Sequence, residues 1–327
     1  MTAWSPLRPL MSQTGNLHPS GHESSGGRLL ILTELLYKAW YVREGAWSSS
    51  LTKAGRSMET FILLNGIEVK SDIFLCEGVV LQPADTSQLD FTTAVAACWH
   101  PDDIAVIAAF IPRVTAQFKI SANSAAELAA ISWNSYWDAL LLSAIFKREI
   151  GFNIQSDTPA HAISATSTLR ATSRHMTGFN HEKPYVIEGQ DPQWLMDHFS
   201  HARQLLKEES FQTAVHCLAS MNWHPHPRIK LAVIWAGIEG IFGVSSEIRF
   251  RISVCMARFL APDDALERKA IFELVKKLYV DRSKSVHGSK HKGDFAASVI
   301  ESAALLNRLL KKCIELRSLP NETELLP

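Results

Sequence analysis

The sequence lacks both a charge imbalance and a cysteine pattern that would assign it to a functional class. Its 33 Lys and Arg residues balance 33 Asp and Glu residues, so only a local cluster of charge could indicate a polyanionic partner. The five cysteines are odd in number, lie far apart and include no Cys-x-x-Cys pair. This pattern argues against a zinc knuckle and against a disulfide framework. We expect reduced, buried cysteines and neither a metal nor a cofactor.

Long apolar runs and a phosphate-binding glycine loop are also missing. The longest apolar stretches, Ile104–Ile111 and Leu231–Phe242, are too short to span a bilayer. The N-terminus has no apolar core of a signal peptide. The stretch Ser24–Gly27 is too short for a phosphate loop and has no lysine. We therefore expect a soluble, cytoplasmic protein with no membrane contact.

The first half of the chain has the pattern of an α+β domain. Hydrophobic residues make up 46% of the sequence and charged residues 20%, which is typical of a chain that folds around a core. Residues 1–26 are rich in Ser, Gly, Pro and His and are expected to form a disordered tail. The α+β domain is expected over residues 27–150, with a helix that starts at the capping pair Ser124 and Glu127. Its β-prone runs are Thr60–Leu64, Asp72–Leu81 and Ala105–Ile120, with a break expected in the last run at Pro112.

The second half favours helices almost throughout. Residues 151–189 are rich in small and turn-forming residues, which predicts a connecting segment. An all-α bundle is expected over residues 190–318, followed by a tail at 319–327. Its five helices are expected at about 192–220, 225–243, 246–260, 264–280 and 294–316. One apolar face of the last helix is formed by Phe295, Val299, Ser302, Leu306, Leu309, Cys313 and Leu316.

Positive charge is concentrated where the last two helices meet. Residues 268–292 hold eight Lys and Arg residues against two acids, Glu273 and Asp281. Such a cluster in a neutral protein is typical of a polyanion-binding surface. The alternative is a solvated helix end, because cations are favoured near helix C-termini. The eight residues are Arg268, Lys269, Lys276, Lys277, Arg282, Lys284, Lys290 and Lys292.

The same region carries a motif that resembles a known family. Residues 278–288, LYVDRSKSVHG, resemble the Arg-x4-His signature of HEPN ribonucleases, and are most similar to the Apea-like group. Upstream, residues 235–243, WAGIEGIFG, resemble a second helix of that group. The resemblance covers about residues 190–318, and implies an all-α HEPN-like bundle. Many catalytic members carry Asn or Asp where this chain has Ser283. The matching positions are Trp235, Glu239, Phe242, Tyr279, Arg282, Ser283, Val286, His287 and Gly288.

The resemblance implies a division of labour between Arg282 and His287 in RNA cleavage without a metal. An imidazole with a pKa near neutrality can take a proton from a ribose 2′-hydroxyl or give one to the leaving oxygen. A guanidinium can hold the phosphate through two hydrogen bonds and offset its growing charge. The lysines expected to bind RNA are Lys276, Lys277, Lys284 and Lys290.

Two of the three expected catalytic residues also have structural interpretations. His287 could be a helix-capping histidine beside Gly288. Glu239 lies on an apolar helix face with Trp235, and an acid in that position needs a partner. Glu239 could orient Arg282 or His287, or it could form a structural ion pair with another basic residue such as Arg249.

These patterns favour an endoribonuclease that cuts single-stranded RNA, with the N-terminal domain in a sensing, recruiting or restraining role. By analogy, such proteins are often toxins or anti-phage effectors. The expected partners are RNA, a second copy of the chain bound through the HEPN-like domain, and an antitoxin or sensor protein. One alternative is a non-catalytic HEPN-like module that binds RNA, a nucleotide or a protein. Another is a purely structural helical dimerisation domain.

Overall fold

The computed structural model describes residues 58–172, 183–244, 246–286 and 295–326. A strand-rich region comes first and a helical region follows, as the sequence predicts. The expected tail at residues 1–26 lies outside the described residues. Among the described residues, no helix combines the length and the apolar composition needed to cross a membrane.

The strand-rich region is built on one antiparallel sheet. Its order is β3-β4-β5-β1-β6-β7. A second, two-stranded sheet pairs β2 with β8 in parallel. The strands are β1 Glu59–Asn65, β2 Ile67–Val69, β3 Ile73–Cys76, β4 Val79–Pro83, β5 Ala116–Ser121, β6 Gly151–Ser156, β7 Leu169–Ala171 and β8 Tyr185–Ile187.

Both faces of the larger sheet are covered, because successive side chains of a strand point to opposite faces. Phe61 and Leu63 of β1 pack against the short helices α1 (Phe91–Ala96) and α2 (Ile104–Phe110). Ile62 and Leu64 belong to the opposite core, beneath the long helix α3 (Ala125–Phe146). The sheet therefore joins two hydrophobic cores.

Two local features of this region follow from single residues. Gly66 has a φ of +86°, a conformation that favours glycine, and a Cβ there would meet the carbonyl oxygen of Glu149. Ser124 caps α3 by accepting a hydrogen bond from the Glu127 amide at 3.2 Å. The Glu127 carboxylate in turn accepts a hydrogen bond from the backbone N–H of Asn123 at 2.9 Å.

Two expectations for this region are wrong. The strand expected over Ala105–Ile120 begins only at Ala116, because residues 104–110 form α2. The connecting segment expected at 151–189 contains β6, β7 and β8, and β6 pairs with β1 inside the sheet. The strands of this segment are short apolar runs separated by Ser, Thr and Gly. By composition alone, such a segment looks like a linker.

Over the part of the helical region that the structure describes, there are six longer α-helices and one short one. They are α4 Asp191–Leu205, α5 Glu209–Ser220, α6 Pro227–Phe242, α7 Ile248–Leu260, α8 Ala265–Val286, α9 Phe295–Leu316 and α10 Glu322–Leu325. The single helix expected over 192–220 is divided at Leu206, and the tail expected at 319–327 contains α10. This short helix is tied to α7, because Arg251 pairs with Glu322 at 2.9 Å.

The expected core face of α9 is confirmed over most of its length. Val299, Ser302, Leu306, Leu309 and Cys313 are buried, whereas Phe295 and Leu316 at the ends are partly or fully exposed. All five cysteines are unpaired, and four are buried, with Cys98 partly exposed.

The larger of the two hydrophobic cores extends from the sheet into the helices. A single apolar cluster runs from Ile62 in β1 to Ile314 in α9. Polar contacts cross the same boundary: the side-chain amide of Asn307 donates to the carbonyl oxygens of Ala144 and Ile145 at 2.7 and 2.9 Å. These bonds satisfy carbonyls that the last turn of α3 leaves without helical partners.

Candidate functional site

The candidate site lies where α6 and α8 pack against each other. Trp235 and Glu239 are four residues apart on α6, and Tyr279 and Arg282 are three apart on α8, so each pair shares a helix face. Trp235 is fully buried, and its indole N–H donates to the Ser302 hydroxyl on α9 at 3.1 Å. This anchored indole fixes the face of α6 that presents Glu239.

An ion pair joins Glu239 to Arg282. The Nη2 atom of Arg282 donates to Oε2 of Glu239 at 2.8 Å, and each side chain is 23% exposed. Of the alternatives that the sequence left open, the pairing of Glu239 with Arg282 is the one observed. Glu239 Oε1 and Arg282 Nε are buried and have no hydrogen-bond partner among the described residues. Each group thus retains unused hydrogen-bonding capacity.

Burial and charge act against each other at this pair. Burial raises the pKa of the Glu239 carboxyl, and the neighbouring Arg282 guanidinium opposes that rise. Burial also raises the pKa of Tyr279, with Glu239 adding to the effect. The Arg282 guanidinium lies 5.6 Å from the centre of the Tyr279 ring, which packs edge-on against Trp235 at 5.4 Å. The guanidinium is therefore held by one carboxylate and one aromatic face.

Arg282 lies within helix α8, although the sequence placed it beyond the end of the fourth bundle helix. The fourth bundle helix was expected to end near Val280, but α8 continues to Val286. Contacts from other helices account for the extra turns. The Arg228 guanidinium reaches the carbonyl oxygens of Lys284 and Ser285 at 3.4 and 3.5 Å. The Ser298 hydroxyl donates to Asp281 at 2.8 Å. Sequence reasoning missed Arg228, since nothing in its local pattern marks it as a cap for α8.

The expected RNA-binding lysines do not converge on Arg282. Lys277 pairs with Glu301 of α9 at 3.1 Å, and Lys284 lies 3.9 Å from Asp281. Lys277 and Lys284 are seven residues apart and share a face, whereas Arg282 is about 140° from Lys277 around the helix axis. Lys276 pairs with Glu273 at 3.3 Å. The positive cluster seen in the sequence is therefore spread around α8 and partly neutralised.

Two expected site residues, His287 and Lys290, lie outside the described residues. His287 follows directly after Val286, the last residue of α8. Among the described residues, no group of three or more His, Cys, Asp or Glu side chains could hold a metal ion.

The chemistry available at the site is set by Arg282 and Glu239. A fixed guanidinium with a partly exposed edge can bind a phosphate, and a carboxylate beside it can hold its orientation. No family model, curated protein or solved structure matches the chain.

Proposed function

We propose that the protein is a metal-independent endoribonuclease of HEPN type that cuts single-stranded RNA. The observation that carries this proposal is the Arg282–Glu239 pair, which lies at the α6–α8 contact with both side chains part-exposed. The motif resemblance assigns a phosphate-binding role to Arg282 and a proton-transfer role to His287. The ion pair supports the first of these roles, since it holds a guanidinium in one orientation.

The proposed reaction needs only groups of the RNA and the protein. The ribose 2′-oxygen bonds to the adjacent phosphorus, the bond from phosphorus to the 5′-oxygen breaks, and a 2′,3′-cyclic phosphate remains. His287 takes the proton from the 2′-hydroxyl or protonates the leaving 5′-oxygen. Arg282 offsets the negative charge that develops on the phosphate oxygens. Glu239 acts as a positioning residue, because its contact is with Arg282.

Cleavage of RNA should continue in EDTA. The proposed chemistry uses no Lewis acid, because the guanidinium carries the charge stabilisation that a metal would otherwise supply. The measurement is gel analysis of end-labelled single-stranded RNA, with and without EDTA, followed by a test for cyclic phosphate ends. Cleavage that appears only with Mg²⁺ or Mn²⁺ would disprove the mechanism. No cleavage under any condition would favour a binding module.

Reversing charge at Lys277 and Lys284 should weaken RNA binding. Each phosphate contact that is lost should reduce the slope of log affinity against log salt by about 1. The reverse change is available at Glu301, whose carboxylate holds Lys277. Glu301→Gln frees this ammonium and should raise affinity modestly, because exposed ion pairs are weak. The measurement is fluorescence anisotropy of labelled RNA over a salt series.

A matched control for this series is Lys183→Glu, an exposed lysine before β8. If Lys183→Glu weakens binding as much as Lys277→Glu or Lys284→Glu alone, each of which changes the net charge by the same amount, the effect is one of net charge. Unchanged affinity in the Lys277–Lys284 variant would mean that these lysines form a solvated face. Lys276 belongs to the same proposed RNA-binding surface, but it pairs with Glu273. Lys290 is the fourth lysine expected on this surface.

The broader parts of the proposal follow from the resemblance. The working unit is a homodimer, since a two-fold axis near Arg282 would bring two sets of site residues together. The strand-rich region senses a trigger or restrains cleavage, and an antitoxin or sensor protein controls the activity. A role as a toxin or an anti-phage effector is the biological setting that such a nuclease fits.

A second candidate function is a non-catalytic module of the same fold. The observation that favours it is the pairing itself: Arg282, Lys276 and Lys277 each already contact a carboxylate. Cations that already pair with carboxylates fit a structural role as well, because buried ion pairs often serve the fold. RNA binding without cleavage, and with unchanged affinity after Arg282→Ala, would support this function over the nuclease.

A further inference from the structure

A cavity of about 360 Å³ lies on α9, away from the proposed nuclease site. Glu267, near the start of α8, pairs with Arg308 beside this cavity at 2.7 Å. Arg282 is near the other end of α8, about 22 Å further along the axis at 1.5 Å per residue. The cavity therefore belongs to a different end of the helical region. It is lined by Leu260, Asn307, Arg308, Lys311, Lys312 and Glu315.

Positive charge dominates the cavity wall. Arg308, Lys311 and Lys312 have i, i+3 and i+4 spacing, which places the three cations on one side of α9. Two of the polar lining groups already serve the fold. Asn307 holds the last carbonyls of α3, and Arg308 donates to the Leu260 carbonyl oxygen at 3.3 Å as well as pairing with Glu267.

Lys311 and Lys312 have no such role, since neither forms an ion pair or a hydrogen bond with any described residue. The Lys311 ammonium lies instead over two aromatic rings, 5.2 Å from the centre of Trp194 and 5.9 Å from that of Phe146. Burial lowers the pKa of Lys311, and Asp191 and Glu315 oppose that change. A partly buried ammonium without an acceptor is unfavourable unless a ligand supplies one.

We propose that this cavity binds a small phosphorylated molecule, with Lys311 and Lys312 as its phosphate-holding residues. The volume is in the range that holds small ligands, and two unpaired ammonium groups suit a doubly charged phosphate group. Leu260 forms an apolar wall for the rest of such a molecule. The one acidic side chain on the wall, Glu315, already accepts a hydrogen bond from Trp194 Nε1 at 3.3 Å. This proposal does not depend on nuclease activity.

The test is isothermal titration of the full chain with inorganic phosphate, inorganic pyrophosphate and phenyl phosphate at constant ionic strength. We expect saturable binding of at least one probe, and at least a tenfold loss of affinity in the double variant Lys311→Gln, Lys312→Gln. The matched control is Lys70→Gln with Lys183→Gln, which removes two exposed charges far from the cavity in sequence. Lys311→Arg should retain binding, because a cation remains over the two rings.

Three results would overturn the proposal. One is the absence of saturable binding by any probe at millimolar concentration. Another is an equal loss of affinity in the control variant, which would show a net-charge effect. The third is full binding by the Lys311–Lys312 variant, which would place the anion elsewhere. Thermal unfolding of each variant without probe shows whether a loss of affinity reflects a loss of folding.

Discussion

Replacing His287 with alanine should lower the rate of RNA cleavage by about 10²–10⁴-fold, the usual contribution of a general acid or base. In the proposed reaction the imidazole moves a proton and Arg282 holds the scissile phosphate, while the lysines contact other phosphates of the RNA. RNA affinity of the His287→Ala variant should therefore stay close to wild type. The measurement is single-turnover cleavage, with anisotropy on the same RNA for binding.

The control for this variant is His161→Ala, an exposed histidine in the strand-rich region. Arg282→Lys is the informative companion, because a lysine keeps the charge beside Glu239 but lacks the planar fork that binds phosphate through two bonds. We expect Arg282→Lys to remain strongly impaired. Wild-type rates in His287→Ala would remove this residue from the mechanism, and equal losses in His161→Ala would point to a general effect on folding.

The sequence predicts the helical half well because its signals are local. Apolar periodicity identifies α9, and Pro227 starts α6, where proline at the first turn costs no helical hydrogen bond. The ends of helices are less predictable because they depend on distant groups. The six residues by which α8 exceeds its expected end are supported by Arg228 and Ser298, which belong to other helices. No pattern within residues 280–286 contains that information.

The strand-rich half is harder to predict from the sequence, because its strands depend on distant partners. β6 is buried in the sheet, yet half of the residues in its sequence GFNIQS are polar. Asn153 and Gln155 are among these buried polar residues. Gln155 donates to the Thr60 hydroxyl at 2.9 Å, so its polarity is satisfied by β1. A polar residue with a partner almost a hundred positions away cannot be distinguished locally from a loop residue. Pairing across the sheet, rather than composition, makes this segment a strand.

In the candidate site, too, some features could be predicted from the sequence and others could not. The pairing of Glu239 with Arg282 was one of the expected possibilities, because an acid on an apolar helix face needs a basic partner. The dispersal of the lysines was not expected, since a count along the sequence ignores direction around the helix. It also ignores Glu301, which reaches Lys277 from α9. Charge counted in one dimension therefore overstated the positive surface beside Arg282.

A buried ion pair ties the strand-rich region to the helices, and it was not foreseen from the sequence. Asp138 of α3 is completely buried and lies 2.9 Å from Nε of Arg203 on α4. Arg203 also donates from Nη1 to the Cys76 sulfur of β3 at 2.7 Å. Burial raises the pKa of the Cys76 thiol to about 12, so the sulfur accepts this bond as a neutral thiol. Three elements from both regions thus meet at one guanidinium.

The pH dependence of this cluster follows from the carboxyl group. Burial raises the pKa of Asp138 to about 6, against an opposing effect of Arg203, from an ordinary value of 3.8. A folded-state pKa above the unfolded value means that the folded protein holds the proton more tightly. The contribution of Asp138 to the free energy of unfolding therefore falls as pH rises from about 4 to about 6, and is constant above that window.

Removing the Asp138 side chain should destabilise the protein by about 3–5 kcal/mol, because Asp138→Ala leaves the Arg203 guanidinium buried without its carboxylate. Asp138→Asn should lose less, since its amide oxygen can still accept from Arg203, and it should abolish the pH dependence between about 4 and 6. The matched control is the ion pair of Lys119 and Glu59, which has a similar separation of 2.8 Å but side chains that are 34% and 36% exposed. Glu59→Ala should change stability by less than about 1 kcal/mol. Urea unfolding of the variants measures all three values. If Asp138→Ala and Glu59→Ala were equally mild, the buried pair would not be what holds the sheet and the helices together, and their shared apolar core alone would have to do so.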